Sequence, residues 1–258
     1  MSDNIITFVL MPSLFLAILL LVEVGRRIGL KRIAEETERA RGGLGTIEAA
    51  IYGLLALMIA FTFSGAASRF EARRALVVQE ANAIGTAYLR LDLLPAVVQP
   101  PLREQFRQYT ETRLAVYRVL PDIEASNGQA IKAVALQKEI WTGVTAAVRE
   151  AQPSASLLLL PALNEMIDIT TTRAVALRTH TPPIIVGALI LLVLFCSLLA
   201  GYRLVDGKLF SMNLHRIGFA LVMTVTIYVI LDLDYPRMGV IRVDFADQAM
   251  EEVRLGMK

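Results

Sequence analysis

The residues of this 258-residue chain with the most chemical potential are few and far apart. His180 and His215 offer imidazoles, Cys196 the one thiol, and Asp232 with Asp234 a pair of carboxylates in the stretch LDLDYPR. A metal site needs such ligands converging at fixed spacing. The histidines sit singly beside apolar blocks and read as interfacial or solvent-facing side chains. The aspartates are two positions apart, so a helix would point them about 200° from each other. They read as a hydrated helix end with Arg237 as ion-pair partner. A single cysteine forms no intrachain disulfide. The sequence also lacks a glycine-rich phosphate loop, a nucleophile elbow and an HExxH pattern. It therefore argues against an enzyme, a metal site and a bound cofactor.

What must position the remaining candidates is a set of long apolar blocks. Hydrophobic residues make up 55% of the chain, concentrated in Ile5–Val22, Thr46–Ser68, Pro183–Tyr202 and Leu214–Leu231. Each approaches the roughly 20 residues that a helix needs to cross a bilayer. The 26 basic residues are nearly offset by 24 acidic ones, which gives no footprint for nucleic acid. The expected fold is all-α, with four transmembrane helices and an extramembrane helical bundle inserted between spans two and three. Four spans would put both termini on one side. The expected segments are 1–69 for spans one and two, 70–181 for the bundle, 182–231 for spans three and four, and 232–258 for a C-terminal tail.

Residues 70–181 are too long for a loop and carry helical periodicity. Val77, Ala81, Ile84, Tyr88 and Leu91 form one stripe, and Leu102, Phe106, Tyr109, Val116 and Leu120 a second. Ile140, Trp141, Val144 and Val148 mark a third helix, and Ser156–Arg178 a fourth. Nothing breaks the chain between span two and the first stripe. One helix is expected to run from the membrane into the bundle.

Basic residues in short loops favour the cytoplasm. Lys or Arg is absent before span one, whereas Arg26, Arg27, Lys31 and Arg32 follow it closely. The loop after span three adds Arg203, Lys208 and Arg216. This pattern reads as a multi-pass protein of a bacterial inner membrane with its bundle in the periplasm.

Span two carries the most informative pattern. At about 100° per residue, Ala49, Gly53, Ala56, Ala60, Ser64 and Ala67 share one face, and Glu71 continues it. Small side chains let helices approach closely in lipid, or they line a narrow pore; the pattern allows both. Phe61 and Phe63 lie off the centre of that face. Glu48, at the start of the span, is either a charge stabilised by the helix dipole or a vestibule charge.

The stretch FTFSGAASRFEARRALVVQEANAIGTAYLRLDLLP, Phe61–Pro95, together with LDLDYPRMGVIRV, Leu231–Val243, resembles the bestrophin-like family of bacterial membrane proteins. The matching residues include Phe61, Phe63, Ser64, Ser68, Arg69, Phe70, Arg73, Glu80, Asn82, Tyr88 and Arg90, with Asp232, Asp234, Pro236 and Arg237 near the end. What the resemblance implies is a four-span subunit of a pentameric anion channel whose second span lines the axis, with Phe61 and Phe63 at its neck. The acidic calcium clasp of animal bestrophins is missing here. In true bestrophins the extramembrane helices face the cytoplasm, opposite to the charge pattern.

The expected function is an oligomeric ion channel with a modest preference for small anions. Its pore or neck would use Ala56, Ala60, Phe61, Phe63, Ser64 and Ala67. Vestibule or coupling roles fall to Ser68, Arg69, Glu71, Arg73, Arg74, Glu80 and Asn82. Asp232, Asp234 and Arg237 form a C-terminal motif. The partners are the lipid bilayer, further copies of the chain (five by the resemblance) and small ions. The competing expectation is a non-conducting membrane sensor or assembly scaffold whose bundle binds a partner or small ligand, with Glu80 and Asn82 as recognition residues.

Overall fold

The computed structural model describes residues 9–32, 38–120, 122–204, 209–235, 240–241 and 244–257. Among them run α1 (Met11–Arg32), α2 (Glu38–Leu89), α3 (Gln99–Arg118), α4 (Ile123–Ala147), α5 (Pro153–Arg178), α6 (Pro183–Arg203), α7 (Leu209–Asp234) and α8 (Asp244–Gly256). A 3-10 turn, Arg90–Leu93, follows α2. The chain divides into two compact units, Met1–Ser68 with His180–Tyr235, and Arg69–Thr179 with Pro236–Lys258.

In the first unit α1 lies against α6 along a seam of Met11, Leu14, Ile18 and Val22, answered by Leu189, Val193 and Cys196. The backbones touch where both helices carry glycine. A Cβ built on Gly25 would fall 2.0 Å from the carbonyl oxygen of Leu198, and one on Gly201 would fall 1.9 Å from that of Val22. Only glycine permits this approach, in which Cα–H groups face carbonyl oxygens. Leu16, Leu20, Leu191, Phe195, Leu221 and Val225 stay exposed around the outside. Such a shell suits lipid rather than water.

Three helical stretches among the described residues are long and apolar enough to cross a membrane: Gly45–Leu93, Pro153–Arg203 and Asn213–Asp234. The expected four spans are therefore corrected to three. In the first stretch the uncharged part is residues 49–68, which rise about 30 Å. In the second it is residues 183–202 of α6, set off from α5 by a non-helical segment at 179–182. The helix α1 does not qualify because only Met11–Val22 precedes Glu23, Arg26 and Arg27. Residues 5–8 of the expected first span lie outside the described residues. Without a fourth span, the placement of both termini on one side loses its basis.

The second unit is the helical bundle. All five apolar positions expected on its first stripe, Val77, Ala81, Ile84, Tyr88 and Leu91, are buried. They meet Leu102, Phe106 and Tyr109 of α3, Ile140 and Val144 of α4, and Leu159, Leu163 and Met166 of α5. Trp141, by contrast, is exposed. The helix boundaries follow local chemistry. Pro100 and Pro101 open α3 and Pro153 opens α5, at positions where a missing N–H costs nothing. Asp122 caps α4 by accepting from the Ala125 N–H at 2.9 Å. Residues read from sequence as a tail include α8, whose Met250 joins the same core, as does Met257 just beyond it.

Candidate functional site

The small-residue face of α2 is uncovered in the chain. Ala49, Gly53, Ala56, Ala60 and Ser64 are exposed and Ala67 is half-buried. The opposite face packs inside its unit: Leu55, Thr62 and Ala66 are buried, and Tyr52 donates to the Cys196 carbonyl oxygen at 3.1 Å. Thr62 can be buried because its hydroxyl donates to the Met58 carbonyl of its own helix at 2.7 Å. Phe61 is 69% exposed and Phe63 45% exposed.

One end of the membrane unit is basic. Glu23 pairs with Arg26 and Arg27 on its own helix and with Arg216 of α7, each at 2.9 Å. Glu48 accepts from Arg203 at 2.7 Å, so four arginines meet two carboxylates there.

Beyond Ser68 the expected vestibule residues separate. Ser68, Glu71 and Asn82 are exposed, and Arg69 and Arg74 are half-buried. Arg74 pairs with Glu71 at 2.8 Å. Arg73 is buried and turned into the bundle, where it donates to the carbonyl oxygens of Ala176 at 3.1 Å and Thr179 at 2.7 Å. These carbonyls belong to the end of α5, which a helix leaves without internal partners.

Glu80 is completely buried, so in this chain it is neither a cavity wall nor a surface for recognition. Arg113 holds it bidentately, Nε to Oε1 at 2.5 Å and Nη2 to Oε2 at 3.1 Å. Arg173 Nη1 bonds Oε2 as well. The Tyr117 ring lies 4.3 Å from the Arg173 guanidinium, and its hydroxyl accepts from Arg113 at 3.1 Å. Burial by itself would raise the Glu80 carboxyl, but the charges of Arg113 and Arg173 outweigh it and hold the group below its ordinary value. Nearby, burial lifts the Tyr109 phenol above its ordinary value, and its oxygen accepts from Gln137 at 3.0 Å. The sequence reading missed Arg113 and Arg173 as Glu80's partners, and Tyr117 as the ring against which both guanidiniums lie. The signal for the two arginines was a charge falling in the register of a buried stripe.

Asp232 and Asp234 are also buried, which corrects the hydrated helix end expected for them. Asp234 Oδ2 accepts from the Thr181 N–H at 2.7 Å. The Asp234 carbonyl oxygen lies 3.0 Å from His180 Nδ1, so that nitrogen carries the proton. The His180 ring stacks on Tyr235 at 4.4 Å. The end of α7 is thereby tied to the start of α6. Arg237 lies outside the described residues. Among those residues, no three His, Cys, Asp or Glu side chains group as a metal site.

A family profile described as a bestrophin-like domain matches residues 13–246 of the chain. The fold is similar to crystal structures of a bacterial bestrophin homolog from Klebsiella pneumoniae. One, carrying a single substitution, has a TM-score of 0.70 at 14% identity and covers 95% of this chain and 97% of its own. Another has a TM-score of 0.67 at 15% identity, with 93% and 97% covered. No curated protein sequence matches.

Proposed function

Since this chain belongs to the bestrophin-like family, we propose that it assembles with copies of itself into a channel for small ions, most simply a pentamer, with anions favoured. The chain is a multi-pass membrane protein and not an enzyme. The observation that carries the reading is the asymmetry of α2. One face is buried in its own unit, and the small-residue face, with Phe61 and Phe63 beside it, is left bare. Copies arranged about an axis cover that face and leave a narrow, low-polarity passage that rings can close by dewetting. Arg69 and Arg74 then enrich anions at its mouth, an effect that weakens at high salt.

Flux through liposomes holding the purified oligomer tests this. Phe61→Ala or Phe63→Ala raises flux by widening the neck, whereas Ala60→Leu and Ser64→Leu abolish it or the assembly. Arg69→Gln with Arg74→Gln lowers the anion preference without closing the passage. Intact oligomers without flux, and with an occluded axis that both phenylalanine substitutions leave unchanged, assign the chain to the sensor or scaffold class. The unbroken 52-residue helix α2 suits that second reading, since it passes from one unit into the other.

The proposed location is a bacterial inner membrane with the bundle in the periplasm. Support comes from the basic end of the membrane unit, because Arg and Lys mark the cytoplasmic side and Glu counts for little. Glu48 marks that end of α2, and Ser68 is at the other. In a Cys196→Ser background, Gln108→Cys reacts with a membrane-impermeant thiol reagent in intact cells and Lys31→Cys only after lysis. The reverse pattern places the bundle in the cytoplasm.

A further inference from the structure

The basic end of the membrane unit holds a charge imbalance that its described residues do not resolve. Glu23 of α1 receives three guanidiniums. Arg26 donates to it through Nε at 3.0 Å and Nη2 at 2.9 Å, and Arg27 through Nε at 2.9 Å. Arg216 of α7 reaches the same carboxylate through Nη2 at 2.9 Å. A carboxylate has about four acceptor sites, and each guanidinium has five N–H donors. Glu23 is therefore saturated, while most of the donors around it are not. Among the described residues its three partners form no other ion pair. Three cations against one anion leave an excess of two positive charges in the crevice between α1 and α7.

This excess is not spread over open water. The Arg26 and Arg216 side chains are only 27% and 19% exposed, whereas that of Arg27 is 73% exposed. Arg216 lies three residues inside the apolar stretch Asn213–Asp234, a rise of about 4.5 Å. The cluster thus sits at the rim of the hydrocarbon. Like charges repel more strongly beside a low-dielectric slab than in bulk water, and an anion at that depth relieves them. At about 100° per residue, Leu16, Leu20, Glu23 and Arg27 share a band of α1 roughly 60° wide. Leu16 and Leu20 are both bare to the surroundings. One strip of α1 therefore carries charge at one end and exposed apolar side chains towards the other.

We propose that this strip seats an anionic phospholipid. Its phosphodiester accepts from Arg27 and Arg216, and an acyl chain lies along Leu20 and Leu16. A lipid of zero net charge fits less well, because its ammonium group faces the same guanidiniums. Basic crevices between membrane helices are suited to anionic headgroups in just this way. The small-residue face of α2 takes no part in the site, so copies can meet there with the lipid in place. The inference rests on Asn213–Asp234 crossing the membrane, and neither on conduction nor on which side the basic end faces.

Native mass spectrometry of the full-length protein, after equilibration with equimolar vesicles of phosphatidylglycerol and phosphatidylcholine, reads the preference directly. An arginine near a membrane surface favours an anionic lipid by about fivefold. Two in excess give phosphatidylglycerol an advantage on the order of 10- to 30-fold. Arg27→Gln and Arg216→Gln each cut that advantage about fivefold. Glu23→Gln raises it, a gain that a merely structural role for the arginines does not produce. Arg203→Gln is the matched control, since it removes the same charge at the same end but from a side chain held by Glu48. It leaves the preference unchanged. Should Arg216→Gln fail to assemble, the largely exposed Arg27 carries the test alone. Equal retention of the two lipids overturns the proposal. So does an equal loss in Arg27→Gln and Arg203→Gln, by assigning the preference to the diffuse charge of the surface. Displacement of the lipid by an equal concentration of soluble glycerophosphoglycerol overturns it as well, by assigning the crevice to a free phosphodiester.

Discussion

Glu80→Gln lowers the stability of the helical bundle by about 3–5 kcal/mol, the cost of stripping a buried ion pair of one partner. The carboxylate is wholly buried between Arg113 and Arg173, so its removal leaves two guanidiniums facing each other with no counter-charge. Loss of either arginine is milder, because one neutral pair survives. The expected order is Glu80→Gln worst, Arg113→Met next and Arg173→Met least, since Arg113 makes the bidentate contact. Amide hydrogen exchange in α3 and α5 of the full-length protein measures the order directly. Equal losses for the three variants would remove the net-charge argument. The pH dependence has a definite sign. The folded-state pKa of Glu80 lies below the ordinary value. Its contribution is therefore complete above the unfolded carboxylate pKa of about 4.3 and is lost as the pH falls through the lower, folded value. Glu80→Gln abolishes that acid-dependent component and leaves the region near neutrality flat.

Gly201→Ala and Gly25→Ala separate α1 from α6. The added methyl would sit 1.9 Å from Val22 oxygen in the first case and 2.0 Å from Leu198 oxygen in the second. Both atoms are backbone and cannot swing aside, so the helices part by on the order of 1 Å and lose contact along the seam. Each substitution costs at least about 3 kcal/mol, the upper end for an overpacked interior. Gly187→Ala is the matched control, because a Cβ there meets nothing within 4 Å. It is expected to be neutral or to stabilise by up to about 1 kcal/mol through helix propensity. Thermal melting of the purified protein, with protease sensitivity of α1 as a second readout, distinguishes the three. Melting temperatures equal to that of the parent protein for Gly25→Ala and Gly201→Ala would mean that the crossing is looser than described.

What the sequence makes legible is whatever repeats. Val77, Ala81, Ile84, Tyr88 and Leu91 recur every three or four positions, are all apolar, and all go inside. Periodicity likewise places Ala49, Gly53, Ala56, Ala60 and Ser64 on one face, although it does not say what that face meets. Arg113 occupies the register of Phe106 and Tyr109, and Arg173 follows Leu159, Leu163 and Met166. A charge in such a register is ambiguous until the oppositely charged partner, here Glu80, is known to share the interior. Asp234 shows a different limit. Its partner Thr181 lies 53 positions earlier, and no local pattern announces a chain that returns. The span count fails for a third reason, since hydropathy weighs the apolar block by itself, while among the described residues α1 carries Glu23, Arg26 and Arg27 within the length that a span would need. Gly25 and Gly201 look unremarkable until both helices are seen to cross at them.

The pairing of α1 with α6 has a consequence for the order in which the protein can be made. Gly25 and Gly201 are about 176 residues apart, which at roughly 5–20 residues per second puts about 9–35 s of translation between them. The α1 seam waits in that interval without its partner, while the chain from Arg69 to Thr179 is synthesised. Yet that middle segment cannot close its own interior either, because Met250 and Met257 arrive last of all. The membrane part encloses the bundle in the reading frame, and the bundle reserves its final piece for after the membrane part. A nascent chain released at Tyr235 would therefore carry the helices of the membrane unit together with a bundle whose core lacks Met250 and Met257, so the interior of the bundle is sealed only after the membrane helices have been made.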